Sequence, residues 1–281
     1  MKKIPKIAYF YWGAKVLPYL RYMTLYSFKK FNPDWNVVLF RPVCLTEGVT
    51  WHSHENEEPI DTEDYTDRLP DLDIQVRLFD MDTINYSNGL PEVLKSDLLR
   101  LYLLSTTGGL WSDIDILYFR PIAHTLKDTC KQAYFCYRRG GVTQDDTPKN
   151  GPLYHSIGFL AAEPECTFFN RLLLNARAML NSGEYQSVGS PYYGMFINIQ
   201  NPNIFNIDIN MVYPSRAPES MFKSPFGCHI YEIRDLTIGW HWYGGHPTAG
   251  QYQNLMTEST YKNYDNIISH IIGKINSGEQ I

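Results

Sequence analysis

The chain opens with a strand-like run, a helix-like run and a second strand-like run, and that order narrows its fold more than any other feature. Ile4 to Trp12 is a short apolar run ended by Gly13. Leu17 to Phe31 carries apolar residues at helical spacing and stops before Asn32-Pro33, and Trp35 to Arg41 returns to a strand pattern through Asn36-Val37-Val38-Leu39-Phe40. A short unbroken apolar run is the mark of a strand buried on both faces, and a helix between two such strands builds a largely parallel sheet covered by helices. The expectation is therefore an α/β chain with a mixed, mostly parallel sheet and insertions.

Further along, residues 43–72 are polar, acidic and weakly periodic, and read as an insertion. Strand signal resumes at Ile74 to Phe79. Leu94 to Thr106 is a helix with a strongly apolar face, closed by Gly108-Gly109, and Leu110 to Phe119 reads as one strand of alternating character. Ala133 to Tyr137 and Ile157 to Ala162 are further strands, with a polar loop from Gly140 to Gly151 between them. Phe168 to Leu180 is a helix, the pattern weakens after Gly183, and Tyr261 to Ile272 is a closing helix. No internal repeat or linker interrupts this, so one domain over 1–281 is expected.

Bulk properties exclude several classes. With 281 residues, 44% hydrophobic and 20% charged, the chain has the makings of a sizeable core and not of a disordered tail. A formal charge of -5 lacks the basic field that a general nucleic-acid binder needs. The five cysteines form no CxxC pair, which argues against a zinc-thiolate site and for a reducing compartment. Neither a signal-peptide core nor the roughly 18 apolar residues of a membrane span is visible, so the expected location is cytoplasmic.

The informative stretch is Ser96-Asp97-Leu98-Leu99-Arg100, followed by Gly108-Gly109-Leu110-Trp111-Ser112-Asp113-Ile114-Asp115. Asp97 and Arg100 are spaced to share a helix face, and Asp113 and Asp115, two apart on the expected strand, point to one side of the sheet. The paired glycines permit a tight helix-to-strand turn. Four charged groups can then converge on one pocket. Paired carboxylates repel unless a cation lies between them, and oxygen ligands favour hard ions such as Mn²⁺ or Mg²⁺. Asp97 and Arg100 taken alone describe a simple i,i+3 ion pair, and a lone DxD describes a solvated turn. Burying all four charges together in apolar elements without a ligand is costly.

This arrangement resembles the DXD sugar-binding region of a glycosyltransferase superfamily that includes fungal initiating α-mannosyltransferases, α-1,4-glycosyltransferases and the catalytic domains of large clostridial toxins. The resemblance implies a GT-A fold, with residues 1–130 as the nucleotide-sugar-binding half and 131–281 as the acceptor-side half with a C-terminal closing loop. It implies transfer of a hexose from a UDP- or GDP-sugar, with a Mn²⁺ or Mg²⁺ cofactor and with retention of configuration at the sugar. It further implies that Asp115 ligates the metal, that Asp113 contacts the donor and helps position the ion, and that Asp97 and Arg100 hold the donor sugar.

Two other segments carry the likeness. Ile4-Pro5-Lys6-Ile7-Ala8-Tyr9-Phe10-Tyr11-Trp12 is similar to the family's opening strand, with Tyr9 where His is frequent, and the resemblance makes Tyr9 and Trp12 donor-binding candidates. Trp12 equally reads as a core aromatic at a strand end. Trp240-His241-Trp242-Tyr243-Gly244-Gly245-His246 resembles the late His-rich segment, which implies that His241 reaches the metal or diphosphate and that Gly244, Gly245 and His246 close over the donor. Ser156-Ile157-Gly158 lacks the Asn of the family's Ser-Asn pair, and Gly189-Ser190-Pro191 roughly resembles an acceptor-side Gly-Pro element, so the glycan, protein or lipid-linked acceptor stays open. His52 and His54 beside Glu55, Glu57 and Glu58 read as a solvated acidic insertion, and no motif sets a base beside Cys130, Cys136 or Cys228. The rival classes are a catalytically inactive sugar-nucleotide or glycan binder and a nucleotidyltransferase, whose phosphate loop Gly13-Ala14-Lys15 is too short to supply.

Overall fold

The computed structural model describes residues 3–44, 60–126, 131–138, 154–180, 187–197, 203–279 and 281. The order of elements is β1 (Ile7–Tyr11), α1 (Tyr19–Phe31), β2 (Asn36–Pro42), β3 (Ile74–Phe79), α2 (Glu92–Thr106), β4 (Gly109–Ser112), β5 (Ile116–Tyr118), β6 (Ala133–Arg138) and β7 (Tyr154–Ala162). It continues with α3 (Thr167–Leu180), α4 (Ser190–Phe196), β8 (Ile204–Asp208), α5 (Pro218–Lys223), β9 (Gly239–His241), α6 (Pro247–Leu255) and α7 (Ile267–Ser277).

Seven strands form one sheet in the order β3-β2-β1-β4-β7-β6-β8. β7 runs antiparallel to both its neighbours, and the other pairings are parallel. Alternation along β1 explains why both faces are covered. Ala8, Phe10 and Trp12 enter one apolar cluster with Phe28 of α1 and Ile271 of α7. Tyr9 and Tyr11 enter a second cluster with Leu98 of α2 and Phe169 of α3. The strand order places the C-terminal ends of β1 and β4 side by side, and ligands of open α/β sheets bind beyond such ends.

The helix-to-strand turn forms as its glycines suggest. Gly108, at φ +68°, donates its N–H to Leu103 O and ends α2, and Gly109 follows at φ +115°. A Cβ on Gly108 would lie 2.5 Å from backbone atoms of Glu163 and Pro164. Gly108→Ala is expected to cost about 1–3 kcal/mol from strain and overpacking. Urea unfolding checks this, through a lower midpoint at an unchanged slope.

The stretch Leu110 to Phe119 is not one strand. Asp113 N–H still donates to Gly158 O at 2.7 Å, but the chain then turns, and β5 leaves the sheet to pair antiparallel with β9. Asp113 and Asp115 therefore sit on a turn between two strands and not on a strand face. The closing helix starts later than its apolar pattern suggests. A single 3-10 turn covers Tyr261–Asn263, and Asn266 caps α7 by accepting from Ser269 N–H. Within 43–72, two single-turn helices cover Thr66–Arg68 and Pro70–Leu72. His52, His54, the acidic residues beside them, the loop from 140 to 151 and Cys130 lie outside the described residues.

Candidate functional site

A cavity of about 750 Å³ opens beyond the C-terminal ends of β1 and β4. α2 brings Asp97 and Arg100 to its wall, and the β4–β5 turn brings Asp113 and Asp115. β9 and the segment after it contribute His241, Gly245 and His246. The pairing of Ile116 with His241 across β5 and β9 delivers the histidine beside Asp115, although the two are far apart in sequence.

Asp115 is buried. Its Oδ1 stands 3.1 Å from His241 Nε2, and its Oδ2 accepts from Gly244 N–H at 2.8 Å. Arg21 Nη1 lies 3.9 Å from the same Oδ2. Burial alone would push this carboxyl up, but His241, Arg21 and the Gly244 N–H outweigh it and hold Asp115 well below the usual carboxylate range. Asp113 is about one-third exposed, and its Oδ1 accepts from Trp111 Nε1 at 3.0 Å and Arg100 Nη2 at 3.2 Å. Asp113, Asp115 and His241 each offer one ligand atom, all within 4.8 Å of one another. Two carboxylate oxygens and an imidazole nitrogen suit a divalent cation. The donor set fits the ion that the sequence suggests.

The imidazole is held in place. Tyr213 stacks on it at a tilt, with ring centroids 4.6 Å apart, and Tyr243 meets it edge-on at 4.4 Å. His241 Nδ1 accepts from Tyr243 N–H at 3.3 Å.

Arg100 Nη2 also lies 3.3 Å from Asp97 Oδ1, and its guanidinium sits 4.9 Å from the centre of the Trp111 ring. Burial opposes the charge on Arg100, and Asp113 and Asp97 outweigh that effect and raise its pKa. Asp97 is different: burial pushes it up to about 7, against the pull of Arg100 and with the help of Asp113. Its Oδ2 and Arg100 Nε are buried without hydrogen-bond partners among the described residues. A buried polar atom at a cavity wall that lacks a partner marks where a polar ligand would gain most.

A folded pKa raised above the unfolded one makes stability fall as pH rises between the two values. Ionising Asp97 therefore costs stability between about pH 4 and about pH 7. Asp97→Asn removes the titration. Its melting temperature is expected to match the wild type near pH 4 and to exceed it by roughly 2–4 °C per kcal/mol of relieved penalty at pH 8. Parallel melting curves across that range would contradict the assignment.

Tyr9 and Trp12 are not among the cavity's lining residues. Tyr9 lies too early on β1 and packs on Phe40, and only Tyr11 at the strand's end reaches the cavity. Trp12 is fully buried on the other face, donates its indole N–H to Val16 O and is covered by Arg21. Gly244 stands behind the wall and acts through its N–H on Asp115. Gly189-Ser190-Pro191 lies at the start of α4, where Ser190 donates to His155 O away from the cavity. Cys136 and Cys166 are buried and free, and burial raises both thiols, so neither is a ready nucleophile.

Of the other lining residues, Tyr213 carries no local signal in the sequence. Ser156 and Gly158 reach the cavity because β7 inserts antiparallel beside β4, and Tyr213 reaches it from the segment after β8. A Cβ on Gly158 would lie 2.5 Å from Asp113 Oδ2 and 2.4 Å from Tyr213 Oη, so the bare glycine gives the aspartate its room.

Residues 22–135 match the family model described as the glycosyltransferase sugar-binding region containing DXD motif. No curated protein matches the chain. Similar solved structures include PaToxG glycosyltransferase, at 15% identity and TM-score 0.47, covering 97% of this chain and 88% of that one. The galactosyltransferase LgtC in complex with donor and acceptor sugar analogs aligns at 11% identity and TM-score 0.45, covering 98% and 96%. A putative glucose-1-phosphate thymidylyltransferase from Bacillus anthracis aligns at 7% identity and TM-score 0.44, covering 88% and 94%. The sheet is mixed, mostly parallel, seven-stranded and flanked by helices. No helix among the described residues is long and apolar enough to cross a membrane.

Proposed function

We propose that this chain, which carries a DXD-type glycosyltransferase sugar-binding region on a GT-A fold, moves a hexose from a UDP- or GDP-sugar to an acceptor hydroxyl with retention of configuration. The observation that carries this reading is the meeting of Asp113, Asp115 and His241 within 4.8 Å beside the buried Asp97–Arg100 pair in one cavity.

Asp113, Asp115 and His241 Nε2 would hold Mn²⁺ or Mg²⁺. A cation held there would supply the positive charge that stabilises a diphosphate as a leaving group. Ligation through Nε2 would need the ring proton on Nδ1, in place of the long contact that Tyr243 N–H makes there. Arg100 offers its unpartnered Nε, and Asp97 its unpartnered Oδ2, to the hydroxyls of the donor sugar. A proton retained on Asp97 up to about pH 7 lets it donate as well as accept. Gly245 and His246 line the cavity, where the β9-to-α6 segment that carries them would close over the donor and exclude water. The acceptor hydroxyl attacks from the leaving-group face, where the departing diphosphate oxygen takes its proton.

Melting temperature tests the binding half of this reading. Uridine and guanosine diphosphates and their sugars are added with and without Mn²⁺. One nucleotide series is expected to stabilise the protein by about 2.7 kcal/mol at a hundredfold excess over Kd, and EDTA is expected to reverse the gain. No shift with any nucleotide, with or without the ion, would sink the reading.

A further inference from the structure

Arg21 of α1 is a buried cation that the mechanism above does not use. It is 2% exposed. Its guanidinium lies between two indoles, 4.7 Å from the centre of the Trp12 ring and 4.4 Å from that of Trp242. In its plane, Nε donates to Gln253 Oε1 of α6 at 2.7 Å, and Nη1 donates to Ile114 O at 3.3 Å. The same Nη1 stands 3.9 Å from Asp115 Oδ2. Nη2 faces Gly244, where a Cβ would lie only 2.1 Å away. One flat group therefore touches the end of β1, the turn between β4 and β5, the segment after β9, and α6.

These contacts fix the rotation of one carboxylate. Asp115 Oδ2 is committed to Gly244 N–H and faces Arg21, which leaves Oδ1 beside His241 Nε2. A guanidinium stacked on both faces and bonded at its edge holds a single orientation, whereas an ammonium is a compact point charge on a flexible stem. We infer that Arg21 is a positioning residue for the cation centre: it sets Asp115 so that Oδ1 is presented to the ion, and it joins the segment 242–244 to the same turn. The inference rests on the cation reading of the proposed function.

Orientation and charge make opposite predictions. A positive charge this close to an ion repels it, so if Arg21 only balanced the charge of Asp115, removing it would tighten cation binding. If Arg21 orients Asp115, removing it weakens binding in spite of the relieved repulsion. Groups that orient metal ligands typically change affinity by roughly 10–100-fold.

The test is Mn²⁺ titration of the full chain, with free ion read by electron paramagnetic resonance. The proteins are wild type, Arg21→Met, Arg21→Lys and Gln253→Met. The last keeps Arg21 and removes only the acceptor of its Nε, away from the cavity wall, and it carries the test if the Arg21 variants fail to fold. The expected result is about tenfold or weaker binding in both Arg21 variants, with no rescue by lysine, and a smaller loss in Gln253→Met. Unchanged or tighter binding in the folded variants, with only a lower melting temperature, would overturn the inference. Absence of Mn²⁺ binding by the wild type would instead overturn the cation reading, and the inference with it.

Discussion

Asp115→Asn is expected to lower turnover by about 10³-fold or more, which is roughly 4 kcal/mol of lost transition-state stabilisation. Asparagine keeps an oxygen for Gly244 N–H but loses the charge that faces His241 and Arg21. The variant keeps the fold, because both strands that flank the turn stay paired, and its far-UV circular dichroism matches the wild type. Its stability differs in a pH-dependent way. The depressed pKa of Asp115 contributes stability that is fully present above the unfolded value of about 3.9 and is lost as pH falls through the folded one. The melting temperature of Asp115→Asn is therefore below the wild type at pH 7, and the gap closes in acid below about pH 4. A gap independent of pH would show that Asp115 is not held ionised by its neighbours.

Gly244→Ala is expected to damage stability and activity together. The new Cβ would meet Arg21 Nη2 at 2.1 Å and Cζ at 2.6 Å. Arg21 has no room to withdraw, because Trp12 and Trp242 cover its faces and Gln253 holds its edge. Overpacking of this kind costs about 1–3 kcal/mol, or a melting temperature lower by roughly 2–4 °C per kcal/mol. The backbone shift also drags the N–H that holds Asp115 Oδ2. A displacement of about 1 Å in a reacting geometry can cost about 10²-fold in rate, and that is the loss expected here. Full activity with a lowered melting temperature would separate Gly244 from the site.

How far the site could be read from sequence follows the range of its contacts. Asp97 and Arg100 are one helical turn apart, Asp113 and Asp115 lie two apart, and Gly108-Gly109 joins the two pairs, so local spacing was enough to bring them together. Their neighbour His241 was legible only through family likeness, since the β5–β9 pairing that delivers it spans more than a hundred residues. Arg21 gave no signal at all: within an apolar helix its charge looks like a solvated position, and only the fold shows it stacked between two tryptophans. Leu110 to Phe119 misled because alternation continues across the break. Ile114 is buried in the turn as an inward strand residue would be, so the pattern hides the point where the chain changes sheets. β8 and β9 leave no mark in the sequence because each is short and lies in the weakly patterned stretch after Gly183, where pairing and not periodicity makes the strand.

The most direct test of glycosyl transfer by this centre is the identity of the released product. Wild type and Asp115→Asn are incubated with a panel of UDP- and GDP-sugars and Mn²⁺, with water as the acceptor, and nucleoside diphosphate and nucleoside monophosphate are both quantified with and without EDTA. The account predicts nucleoside diphosphate from one donor, stopped by EDTA and absent in Asp115→Asn. Release that survives both EDTA and the substitution, or nucleoside monophosphate with sugar 1-phosphate as the products, would contradict it.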